Sequence, residues 1–173
     1  MPNPLKPDPL QHSRERPAVE ALVRRIPGFH GYLERAYRRE SDALLRQHLA
    51  EQLEQGKRSL DDAARTLADS AQIERLPQLD RVRARLDKAI GRLRGAMRGY
   101  SGVFDLVRID EAVLDAIYAH DMALADKIAD VVKRLQAGAR EASTAASIAA
   151  MLAELDAIDH ACDKRDEILK GLV

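Results

Sequence analysis

Apolar residues return every three or four positions along most of this chain, the interval that places them on one face of an α-helix. Between Arg16 and Ile26 the interval is kept by Val19, Leu22, Val23 and Ile26, and Pro17 suits a first helical turn, where its missing N–H has no intrahelical partner. Pro27 and Gly28 end that run. In the proline-free stretch that follows, Leu33, Tyr37, Leu44, Leu53, Leu60 and Leu67 largely share a face, which predicts one helix over about residues 31–70 with Gly56 as its weak point. At ~1.5 Å of rise per residue such a helix is roughly 60 Å long.

The sharpest heptad comes next: Leu79, Val82, Leu86, Ala89, Ile90, Leu93 and Met97 predict a helix that needs a partner along its whole length. Gly99-Tyr-Ser-Gly-Val-Phe-Asp105 interrupts it, and Asp110 is placed to cap a helix running from Glu111 to about Ala137. Leu114, Ile117, Leu124, Ile128, Val131 and Leu135 mark that helix, and Gly138 ends it. Ile148, Met151, Leu155, Ile158, Cys162 and Leu169 mark a final helix over about residues 142–170. The pattern predicts an all-α protein: an elongated antiparallel helical bundle with coiled-coil-like packing, four long helices and one short N-terminal helix. Residues 15–173 read as one helical domain, and residues 1–14, with prolines at 2, 4, 7 and 9, read as a flexible tail.

Composition sharpens the core. Aromatics make up 3% of the chain and Trp is absent, so Leu, Ile, Val and Ala must fill the space between helices. Lys and Arg balance Asp and Glu at 28 each, which removes the simple electrostatic case for a nucleic-acid binder. The balance is uneven along the chain. Residues 1–99 hold 20 basic against 14 acidic side chains and residues 100–173 hold 8 against 14, so the halves are expected to pack on each other, within one chain or between subunits. A single cysteine, Cys162, allows no intrachain disulfide and no Cys-rich zinc site, and its place on an apolar face makes it a core residue. No apolar run approaches the ~20 residues that span a bilayer. The opening MPNPLKPDPL lacks the apolar centre of a signal peptide, so the chain is expected in the cytoplasm, with a peripheral place at the membrane as the alternative.

Candidate chemistry is sparse. No Glu-x-x-His pair of the di-iron bundles occurs, nor a nucleophile elbow, a His-Glu-x-x-His motif, a phosphate-binding loop or a dinucleotide fingerprint. Asp156, His160 and Asp163 share a helix face, and His120 with Asp121 could approach them, but the set reads as polar residues flanking the core stripe. Asp121 stands apart because the heptad puts it in the apolar seam, where a carboxylate needs a partner, and an Arg from the basic half is the expected one. Arg24, Arg25, Arg35, Arg38, Arg39 and Arg46 crowd the first turn, and Arg81, Arg85, Lys88 and Arg92 line one flank of the third segment. Acids alternate with both groups, which favours salt-bridged faces over phosphate binding. Catalytic, metal and cofactor residues are therefore assigned to none.

Two passages stand out: Ile26-Pro-Gly-Phe-His-Gly-Tyr32 leading into Arg38-Arg-Glu-Ser-Asp42-Ala-Leu-Leu-Arg46, and Gly99-Tyr-Ser-Gly-Val-Phe-Asp105. Over roughly residues 26–120 the chain resembles a family of uncharacterised bacterial all-helical proteins with an I-P-G-x-x-G-Y start and a G-Y-x-G-x-F-D turn. The resemblance implies a helical fold and carries over no activity. Physically, each passage joins permissive glycines to rings that can plug a helix end, so Phe29, Tyr32, Tyr100 and Phe104 are expected where helices reverse. Together with Arg38, Arg39 and Asp42 they are the candidate partner-binding residues. The expected function is a non-enzymatic scaffold or adaptor that binds a protein partner and itself. A membrane-surface coat using the short amphipathic helix is the alternative, and a metal or cofactor bundle comes third.

Overall fold

The computed structural model describes residues 16–99, 111–137 and 145–169, and every regular element among them is helical. In chain order these are α1 (Pro17–Arg25), α2 (Arg35–Asp69), a 3-10 turn (Ile73–Arg75), α3 (Leu76–Gly99), α4 (Glu111–Gln136) and α5 (Ala145–Leu169). Four long helices and one short one match the number read from the sequence. The tail, Tyr100, Phe104 and the Asp110 cap lie outside the described residues.

Helices α2 to α5 form a four-helix bundle in which α2 packs on α3 and α4, and α5 closes the ring against the same two. Cross-helix pairs fix the directions. Lys57 with Asp87 and Asp61 with Arg83 make α2 and α3 antiparallel. Asp121 with Arg165 and Arg134 with Glu154 make α4 and α5 antiparallel. Between these two hairpins the neighbours run parallel: Arg85 meets Asp156 and Lys88 meets Asp159, while Tyr118 stacks on Tyr32 and Leu135 reaches Gly56. Consecutive helices are thus antiparallel, as expected, and the contact between hairpins is not.

The α3 heptad enters the core residue for residue from Leu79 to Leu93. The face of α2 is shifted. Its buried positions are Leu45, Leu49, Ala50, Leu53, Leu60, Ala63 and Leu67, whereas Leu33 and Leu44 are only half-buried and Tyr37 is exposed. The reason is local: Gly28 and Gly31 both adopt φ of +81°, so the chain doubles back before the helix starts at Arg35 rather than near residue 31.

Gly56 proves to be a packing position, not a break. A Cβ there would sit 2.7 Å from Leu135 Cδ1 and 3.4 Å from Val132 Cγ2, so the missing side chain lets α4 approach α2 closely. At its C-terminus α2 ends in a Schellman motif, with Gln72 N–H donating to the Leu67 carbonyl (2.9 Å) and Ala71 N–H to that of Ala68 (3.1 Å). Ala71 holds the left-handed position at φ 57°, which glycine fills more readily.

Helix α1 lies along α4. Val19 and Leu22 are buried, and ion pairs from Arg16 to Asp115 and from Arg25 to Asp126 (2.8 Å) pin its two ends. Only Val23 of its apolar set faces outward, 42% exposed.

The charge asymmetry of the two halves is spent inside the chain. Arg85, Lys88 and Arg92 on α3 face Asp156, Asp159 and Asp163 on α5 as a ladder. The Lys88 and Arg92 hydrogen bonds hold the Asp159 carboxyl below its ordinary range, and the Asp163 hydrogen bond holds the Arg92 guanidinium above its own. Pairs this exposed contribute little stability each, about 0–1 kcal/mol, but they penalise any other alignment of α3 on α5.

Candidate functional site

Beneath the turn that joins α1 to α2, four elements converge on a buried polar network. From the turn comes Tyr32, from α2 Asp42 and Arg46, from α4 Tyr118 and Asp121, and from α5 Arg165. The helical members occupy positions that the helical period turns inward, and Tyr32 enters from the turn, so the network replaces what would otherwise be apolar layers of the bundle. Asp121 and Tyr32 are wholly buried and Arg165 is 2% exposed.

Arg165 Nε donates to Asp121 Oδ1 at 2.6 Å and its Nη2 to Asp121 Oδ2 at 3.1 Å, a two-pronged pair across the α4–α5 interface. The Tyr32 hydroxyl donates to Asp121 Oδ2 at 2.7 Å and accepts from Arg165 Nη2 at 3.1 Å. On the other side Arg165 Nη1 lies 2.7 Å from Asp42 Oδ1, in ion-pair range but outside hydrogen-bond geometry, so the contact is chiefly coulombic. Arg46 Nε donates to both Asp42 oxygens at 3.2 and 3.1 Å, and Arg46 Nη2 stands 3.6 Å from Asp166 Oδ1. Tyr118 completes the set by accepting the Tyr32 backbone N–H at 2.5 Å, with the two rings stacked 5.2 Å apart.

Electrostatics follow from burial. Loss of water alone would lower the affinity of Arg165 for its proton, but the Asp121 and Asp42 charges outweigh it and hold the guanidinium well above its ordinary value. Burial, then the Asp121 charge, push the Tyr32 phenol well up. Burial raises Tyr118 as well, partly offset by the backbone N–H it accepts. Arg165, Tyr32 and Tyr118 all hold their protons more tightly than they would in water, which keeps the guanidinium charged and both phenols intact as hydrogen-bonding groups. Tyr32→Phe should therefore act on stability: losing a hydroxyl that bonds two charged groups should cost about 2 kcal/mol in urea unfolding. A loss below about 0.5 kcal/mol would mean that the hydroxyl is not integral to the network.

Asp121 thus has the buried arginine partner expected of it, but the partner comes from the acidic half. The basic half contributes Arg46 at one remove, through Asp42. Of the candidate partner-binding residues, Phe29, Tyr32 and Asp42 are buried. Phe29 packs edge-on against Tyr32 at 5.4 Å. Arg38 is half-buried and its Nε and Nη2 donate to the Tyr32 and Leu33 carbonyls at 2.6 and 3.2 Å, fixing the turn. Arg39 is exposed, and Tyr100 and Phe104 lie outside the described residues. The apolar spacing placed Tyr37 on the inward face of the helix and not among the candidate partner-binding residues, yet it is 41% exposed with its ring 5.1 Å from that of His30.

Of the residues weighed as metal ligands only His120 and His160 share a site, on opposite sides of a groove between α4 and α5. Asp156 and Asp163 turn to α3, His120 meets the Ala161 carbonyl at 2.8 Å, and Asp121 is sealed in the network. Among the described residues no group of three or more such side chains is arranged to hold a metal ion. Burial pushes the Cys162 thiol up, which makes it a poor nucleophile. No described helix is long and apolar enough to cross a membrane. No protein-family model, curated protein or solved structure matches this chain.

Proposed function

We propose that this protein is a non-enzymatic helical adaptor that presents one end of its bundle to a protein partner. A single observation carries the reading: Tyr37, 41% exposed, leans on His30 at the start of α2, with Arg39 also exposed in the same helical turn. Tyr and Arg are the residue types most enriched where binding energy concentrates, because each offers a large, stiff contact surface with a polar tip. Phe29, Tyr32 and Arg38 in the adjoining turn are held by packing and hydrogen bonds, so that turn loses little entropy when a partner binds.

A photoreactive residue placed at position 37 in the living cell tests the reading, with exposed Glu51 as the control position. A discrete crosslinked protein from 37 and not from 51 is expected, and Tyr37→Ala should weaken its binding by roughly 30-fold, about 2 kcal/mol. The same products from both positions, or none from 37, would sink the proposal. Self-association has less behind it, since the opposite charges of the two halves are neutralised within one chain. A membrane-surface role would require α1 to leave the bundle, because Val19, Leu22 and Ile26 are all buried.

A further inference from the structure

On the outside of the bundle, α4 and α5 leave between them a groove of about 400 Å³, within the size range of small-molecule sites. Its floor is apolar and shallow-sided: Leu124 on α4 and Ala157 and Ala161 on α5, with Ala123 at the edge. Its rim carries two lysines and two histidines. Lys127 and His120 stand along α4, and His160 and Lys164 along α5.

The rim is one-signed because α5 is split lengthwise by charge. Asp156, Asp159 and Asp163 turn to the arginines and lysine of α3, leaving His160 and Lys164 on the flank toward α4. The matching flank of α4 contributes no acid either, so the whole lining lacks a carboxylate. His120 Nε2 meets the Ala161 carbonyl at 2.8 Å, and since a carbonyl only accepts, that nitrogen carries the proton and the ring is held in place. The antiparallel register of α4 and α5, fixed by Asp121 with Arg165 and Arg134 with Glu154, puts His120 and Lys164 toward one end of the groove and Lys127 toward the other.

We propose that this groove binds a small amphipathic carboxylate, a medium-length alkyl chain with one anionic head. The chain would lie on the alanine floor and the head would meet a lysine at the rim. An apolar trough bordered by unbalanced cations fits such a ligand on both counts, where a purely apolar molecule would leave the lysines idle and a bare anion would leave the floor wet. The site uses none of residues 29–42, so it stands or falls apart from the adaptor reading.

The test is calorimetric titration of the full chain with octanoate and, separately, octanol. Octanoate should bind one per chain with a submillimolar Kd, and octanol at least about tenfold more weakly. Lys127→Gln combined with Lys164→Gln, both exposed positions, should bring octanoate down to the octanol level while leaving the melting temperature unchanged. Ala157→Leu, which fills the floor without touching the charges, should abolish binding of both. Absence of octanoate binding at millimolar concentration overturns the proposal, and so does equal affinity for octanol or indifference to the lysine changes. Binding seen only with vesicles of an anionic phospholipid would also overturn it, since the surface would then be reading a membrane.

Discussion

Arg165→Met is expected to destabilise the fold by about 3–5 kcal/mol, enough to unfold a domain of ordinary stability. The methionine fills the space, so the loss is electrostatic: Asp121, wholly buried, would keep only the Tyr32 hydroxyl and lose both bonds from Arg165. Asp42 would suffer less, because Arg46 still bonds both of its oxygens. The complementary variant isolates the cause. Changing Arg165→Met, Asp121→Leu and Tyr32→Phe together removes charges and hydroxyl at once, and it should recover most of the lost stability, because an apolar layer avoids the desolvation that the pair must offset. Urea unfolding with an unchanged slope reads both results. If the single variant lost less than about 1 kcal/mol, water would have to reach Asp121, and the network could not be as closed as its burial shows.

The same network shows what the sequence made legible and what it hid. Asp121 could be picked out because it interrupts an otherwise apolar seam between Ile117 and Leu124. Arg165 sits in an equally regular series, Ile158, Cys162, Arg165 and Leu169, spaced four, three and four, yet the gap between Cys162 and Leu169 reads as a break when residues are sorted by type rather than by position. Asp42 and Arg46 were singled out as a partner-binding candidate and a member of the basic group, but their place on the buried face among Leu45, Leu49 and Leu53 was missed in the same way. Hydrophobic periodicity finds apolar cores, and it goes blind where a core layer is built from paired charges.

The bundle arrangement had a signal too. Basic residues at 81, 85, 88 and 92 and acids at 156, 159, 163 and 166 form two stripes of the same period, and most of each stripe meets the other across α3 and α5. The sign of the stripes was readable, but whether they met within one chain was not, because a stripe pairs equally well with a second copy. The buried face of α2 had a periodic trace as well, Leu45, Leu49, Leu53, Leu60 and Leu67 at spacings of four and seven, but nothing in the period showed that Leu33 and Tyr37 fall off it, because the chain enters the helix only after two left-handed glycines.

Those conformations lead to the second large effect. Gly31→Ala should cost about 2–4 kcal/mol, and more than Gly28→Ala, although both glycines have the same φ of +81°. The strain of a left-handed alanine, roughly 1–2 kcal/mol, is common to the two. Their surroundings differ. A Cβ on Gly28 would come 3.3 Å from Leu44 Cδ1, the end of a side chain that is only half-buried and can yield. A Cβ on Gly31 would come 2.8 Å from the Tyr118 hydroxyl, and that oxygen is held from the other side by the Tyr32 N–H at 2.5 Å. Moving it strands a buried donor, adding about 1–3 kcal/mol, and shifts the ring stacked on Tyr32. Since Tyr32 also bonds Asp121, the disturbance should reach the charge pair, and Gly31→Ala combined with Tyr32→Phe should cost less than the sum of the two alone. Strict additivity in that double-variant cycle would show that the turn and the network are energetically separate, and that the glycine matters for its backbone alone.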